Sequence, residues 1–116
     1  MDKAFAEKFA REWIEAFNSH DLDRVLAHYA DDFEMNSPVI IQLAGEPDGR
    51  LKGKDAVRAY WGRALEKFPG LHFELLNVYL GVNSIVINYR GHRGLSSEVF
   101  HFDGAGAVIR AYAHYE

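Results

Sequence analysis

Glu98 stands in Leu95-Ser96-Ser97-Glu98-Val99-Phe100-His101-Phe102-Asp103, in the same period-2 phase as Phe100 and Phe102. Successive side chains of a strand face opposite sides, so a strand that buries both phenyl rings turns this carboxyl inward with them. A buried carboxylate without a partner is costly, and the group responds by holding its proton to higher pH. Beside a ring-lined cavity, with Phe100 as part of the lining, such an acid serves as general acid, general base or hydrogen-bond donor near neutral pH. The plainer alternative pairs Glu98 with a buried cation or hydroxyl, or flips the strand so that the carboxyl meets water.

Other residues gather around this candidate catalytic group. Trp13 lies on a helical stripe, either as core filler or as a pocket wall whose N–H faces a ligand. Ser37 either satisfies local backbone or touches the ligand. Tyr60, beside Trp61, falls on the apolar side of a helix as core or pocket wall. Tyr79 shares its strand phase with Phe73, Leu75 and Asn77, and Tyr89 shares one with Ile85 and Ile87, which predicts both rings inward. A buried tyrosine needs a hydrogen-bond partner, and Glu98 is the obvious one. Near the C-terminus, Ile109, Ala111, Ala113 and Tyr115 share a face whose alanines leave room for a ligand, with Tyr115 near the mouth. Arg110, Tyr112 and His114 take the other face with Val99 and His101, mixing rings and charge as an interface does. The six histidines are scattered. No pair sits at i, i+4 with a supporting acid, so no metal site is expected. Asp103-Gly104-Ala105-Gly106 precedes no helix and reads as a hairpin turn instead of a phosphate cradle.

The elements that must position these groups follow from periodicity. Phe5, Phe9, Trp13 and Phe17 recur every four residues and predict a helix over Lys3–Asn18. Asp21 is a good N-cap for a second helix carrying Leu22, Val25, Leu26 and Tyr29, ended by Asp31-Asp32. Phe33 to Val39 alternates and reads as a short strand with Phe33, Met35 and Ser37 on one side, and Pro38 makes it an edge strand or a strand end. Residues 40 to 52 read as a turn-rich connection. A third helix spans about Lys54 to Phe68, stopped by Pro69-Gly70. Strands follow at about 71–81, 84–92, 95–103 and 107–115, joined by hairpin turns. Helices first and hairpin-linked strands after is an α+β pattern with an antiparallel sheet.

With 116 residues the chain makes one domain, 1–116, with one core. A hydrophobic share of 48%, a charged share of 26% and a net charge of −4 fit an ordinary globular protein, and no basic run supports nucleic-acid binding. No cysteine is present, which excludes disulfides and thiolate chemistry. Neither a signal peptide nor a membrane-spanning run is evident, so a cytoplasmic protein is expected.

In order along the chain, Trp13 to Asp23, Tyr29-Ala30-Asp31-Asp32-Phe33, Ser37-Pro38, Gly53 to Val57 and Glu98 to Gly106 resemble the NTF2-like superfamily, and within it the SnoaL-like and ketosteroid isomerase group. The resemblance implies a cone: three N-terminal helices packed in a strongly curved, mostly antiparallel sheet that encloses an apolar pocket. It also implies a homodimer through the outer sheet face. Ketosteroid isomerases hold an oxyanion with a tyrosine of the first helix and an acid of a late strand, while an aspartate before the first strand's proline moves the proton. By position these fall on Trp13, Glu98 and Ser37. Trp13 donates without titrating usefully, and Ser37 is no base unaided. Two of the three positions have departed, which argues against ketosteroid isomerase activity itself. An epoxide hydrolase would want an arginine with two acids in the cone, and one inward acid is evident. The expectation is therefore a pocket for a small hydrophobic or cyclic metabolite. Two uses remain open: a cofactor-independent isomerase, dehydratase or cyclase working through Glu98, or a non-catalytic module for ligand binding or dimerisation.

Overall fold

The computed structural model describes residues 1–116. Its elements run α1 (Lys3–Asn18), α2 (Leu22–Leu26), β1 (Tyr29–Asn36), α3 (Pro38–Ala44), β2 (Arg50–Lys52), α4 (Lys54–Lys67), β3 (Glu74–Gly81), β4 (Ser84–Gly91), β5 (Gly94–Phe102) and β6 (Val108–Tyr115). The six strands form one curved sheet in the order β2-β1-β6-β5-β4-β3. Neighbours pair antiparallel except β1 and β6, which are parallel. A parallel pair needs a crossover rather than a hairpin, and the helices and hairpins between β1 and β6 supply it.

α1 forms where its aromatic stripe demands. Asp2 caps it by accepting from the Phe5 N–H at 2.7 Å. Its buried face, with Ala6, Phe9, Ala10, Trp13 and Phe17, lies in the hollow of the sheet. There Phe9 meets Phe100 edge-on, with ring centroids 4.9 Å apart, and Trp13 meets it at 5.4 Å. Losing one of these rings would cost about 3–5 kcal/mol, because a close-packed core cannot collapse over so large a void.

Four helices are present, where periodicity suggested three. Tyr29 opens β1 instead of closing the second helix, and Asp31-Asp32 lie inside that strand, where its pairing with β6 is irregular. Within residues 40 to 52, expected to be a connection, α3 and the short β2 form. The reason is local. Ser37 accepts from the Val39 N–H at 3.1 Å, and Pro38 occupies the first helical position, where a missing N–H costs nothing. Pro38 is thus a strand end, and β1 lies inside the sheet between β2 and β6.

The largest departure is in β3. Leu75 pairs with Tyr89 but Asn77 pairs with Asn88, so Leu76 is a bulge residue. One extra residue reverses every later side chain. Val78 opposite Ile87 therefore points inward, and Tyr79 opposite Val86 points outward, with 55% of its surface exposed.

Candidate functional site

Cross-strand register builds the inner wall in rows. Tyr89, Ser96 and Tyr115 face one another across β4, β5 and β6; Ile87, Glu98 and Ala113 form the next row inward, and Ile85, Phe100 and Ala111 the row below. Directly opposed side chains lie on one face, so register alone puts the Glu98 carboxyl between a tyrosine row and a floor of apolar groups. Ala113, beside it, is too short to fill the space.

A cavity of about 90 Å³ opens on this wall, lined by Trp13, Tyr60, Tyr89, Ser96, Glu98 and Tyr115 among others. Helices α1, α3 and α4 close its other sides. A site of this size admits a group no larger than a single ring. A steroid-sized body is too large for it.

Glu98 is 3% exposed. It makes no hydrogen bond to any protein group, and burial pushes its carboxyl up to about 8. At neutral pH the group is therefore mostly neutral, an O–H donor with no protein acceptor. Four tyrosines surround it at electrostatic range. Burial pushes all four hydroxyls up, Tyr29, Tyr89 and Tyr60 well above their usual value and Tyr115 to about 12, and the charge Glu98 carries when ionised adds to the rise. All four remain neutral donors.

The residues singled out by sequence divide as follows. Trp13, Tyr60, Tyr89, Glu98 and Tyr115 come together around the cavity. The Trp13 indole N–H does not face it. That group donates to the Tyr29 hydroxyl at 3.0 Å inside the core. Phe100, fully buried, lies beneath the cavity under Trp13 instead of on its surface. Ser37 stands behind the wall: besides capping α3, its hydroxyl is 3.5 Å from that of Tyr115. Tyr79 is on the outer face, away from the cavity, because of the Leu76 bulge.

Three participants escaped the sequence reading. Tyr29 was hidden in an irregular strand start. Arg93 and His92, in the β4–β5 turn, reach the cavity mouth. His92 lies against Phe68 with ring centroids 3.9 Å apart, and the Arg93 guanidinium sits 5.7 Å from the Tyr115 ring centre. No periodic signal marks turn residues, so only a basic residue in a hairpin beside the candidate strand could have pointed to them. No three His, Asp or Glu side chains assemble at metal-binding distance anywhere in the chain. No helix is long and apolar enough to cross a membrane.

A family profile for the SnoaL-like domain matches residues 10–116. The chain belongs to the SnoaL-like family. A SnoaL-like protein of unknown function from Burkholderia thailandensis is 56% identical and superposes with a TM-score of 0.95, over 99% of this chain and 97% of that one. An NTF2-like protein of unknown function from Burkholderia pseudomallei is 22% identical, with a TM-score of 0.77 over 100% of this chain and 92% of that one. TerC, co-crystallised with polyporic acid, is 11% identical, with a TM-score of 0.78 over 97% of this chain and 92% of that one. The last two likenesses show the fold alone. Among curated proteins nothing matches it.

Proposed function

We propose that this SnoaL-like protein binds a small, mostly apolar, carbonyl-bearing metabolite and moves a proton on it without a cofactor, as an isomerase, dehydratase or cyclase does. The supporting observation is Glu98, a buried carboxyl with no protein partner on the wall of a mostly apolar cavity. A group poised at about 8 is close to the ideal for proton transfer at neutral pH, since both of its forms are accessible. In its ionised form Glu98 takes a proton from the carbon next to the carbonyl. The hydroxyls of Tyr60 and Tyr115 stand on the same cavity to donate to the oxygen that gains charge. The proton then returns from Glu98 to the same carbon or to another.

A second reading, ligand holding without turnover, is favoured by one observation: Glu98 is the only carboxyl group on the cavity, and His92 sits apart from it at the mouth, against Phe68. Deuterium exchange separates the two. A panel of small cyclic ketones incubated with the protein in D2O is expected to exchange the protons beside the carbonyl, and Glu98→Gln is expected to lose that catalysis while keeping the fold. Binding without exchange would favour the second reading. No binding by any ketone would remove both.

We also propose that two chains pair through the outer face of the sheet. Tyr79, Val86, Val99 and Tyr112 oppose one another in a row across β3, β4, β5 and β6. That apolar row is on the solvent side of a single chain, and its Tyr79 end is largely exposed.

A further inference from the structure

Arg93 lies in the tight turn Gly91-His92-Arg93-Gly94, which Gly94 completes with a φ of 88°. Apart from His92, it is the only basic residue lining the cavity. Its charge has no acidic counterpart. Ion pairs hold Arg24, Arg50, Arg58 and Arg90, and none involves Arg93. Glu116, the acid nearest this turn, uses its Oε1 to accept the Leu95 backbone N–H at 2.8 Å. What Arg93 holds is neutral: it donates to the side-chain oxygen of Gln42 on α3 at 2.7 Å, and its guanidinium rests against the Tyr115 ring. Its field reaches the cavity hydroxyls, favouring the ionised forms of Tyr60 and Tyr115.

A guanidinium bonds a carboxylate in two parallel contacts and binds it more strongly than a neutral amide oxygen. An incoming carboxylate therefore displaces Gln42 at a gain. The depth of the site is unlike its mouth: there the polar group is a protonated acid among rings, suited to a neutral carbonyl or phenol oxygen. From Gly94 to Glu98 the strand advances roughly 13 Å, a span shortened by the inward reach of both side chains. We infer that the ligand is a small monocyclic organic acid, its carboxylate held at the mouth by Arg93 in place of Gln42, and its carbonyl or hydroxyl end presented to Glu98. The inference rests on the proposed cavity reading and narrows it to anionic ligands of one polarity and one orientation.

Calorimetric titration with matched pairs tests it, using 4-oxocyclohexanecarboxylate with its carboxamide and 4-hydroxybenzoate with 4-hydroxybenzamide. The acids are expected to bind about tenfold tighter than the amides, with an advantage that shrinks as salt is raised. In Arg93→Gln the advantage should vanish, and Arg93→Lys should restore part of it. Equal binding of acid and amide by the natural protein, or an acid preference that survives Arg93→Gln, would overturn the inference. The cavity reading would then stand by itself, provided Glu98→Gln alters the affinity of both members. Failure of all four compounds to bind would overturn both.

Discussion

The proposed chemistry rests on one ionisation, that of Glu98, and that ionisation is coupled to folding. Its carboxyl is raised by burial from 4.5 to about 8, so between those two values the folded protein holds a proton that the unfolded chain has released. Stability is then fully present below the lower value, falls as pH rises through the window, and is lost above the upper one. Each pKa unit corresponds to about 1.4 kcal/mol, so a decline of a few kcal/mol is expected in urea unfolding between pH 5 and pH 8. Glu98→Gln, which keeps shape and a donor but cannot ionise, should flatten that slope and be the more stable form at pH 8. At this scale the sequence was legible where a strict period ruled. Glu98 had to follow Phe100 and Phe102. The Trp13–Tyr29 hydrogen bond was not legible, because it joins residues from two elements and Tyr29 carried a helical reading. That bond turns the indole N–H, which sequence left free for a ligand, into a core contact.

Elements decide which of the candidate side chains meet. From Ser96 to His101, β5 pairs with β4 and β6 without a break, and the inward residues Tyr89, Glu98 and Tyr115 arrive where alternation puts them. The one shift, at His101/Phe102, lies beyond the site and turns Val108 inward in place of Ile109. In β3, one bulge at Leu76 sends Tyr79 outward. Alternation has no means of signalling an inserted residue, because the leucine there suits either face. α3 was missed for a related reason: its cap, Ser37-Pro38, also reads as a strand end, and at seven residues the helix is too short to show a periodic stripe. Its position nonetheless shapes the site, for it carries Gln42 to Arg93 and fixes Ser37 behind Tyr115. Ser37→Ala removes the cap and the partner of that hydroxyl together. The expected cost is about 1 kcal/mol or somewhat more, seen as a fall of several degrees in Tm, with the cavity still formed.

The whole molecule is a hollow made by wrapping a curved sheet over aromatic helices, and two surfaces follow from that geometry. The inner one is mostly ring-lined and carries a single acid, with His92 and Arg93 at its mouth; the outer one carries the row from Tyr79 to Tyr112. Order along the chain made the α+β class and the NTF2-like likeness readable, because helices precede hairpin-linked strands. The size of the hollow was not readable, since it depends on how α1, α3 and α4 close against the sheet. For the outer surface, light scattering is expected to return twice the monomer mass, and Val99→Glu, which puts a charge in the middle of the row, to return the monomer with ligand binding retained. A monomer from the natural protein would remove the pairing proposal. The claim on which the site depends is more direct: one carboxyl faces the hollow, alone and largely protonated at neutral pH. A carbon-13 NMR titration of the glutamate carboxyls, assigned by comparison with Glu98→Gln, reports that state. The Glu98 resonance should titrate near pH 8 and shift when a ligand enters the cavity. Titration between pH 4 and 5, as for a carboxyl in water, would contradict it.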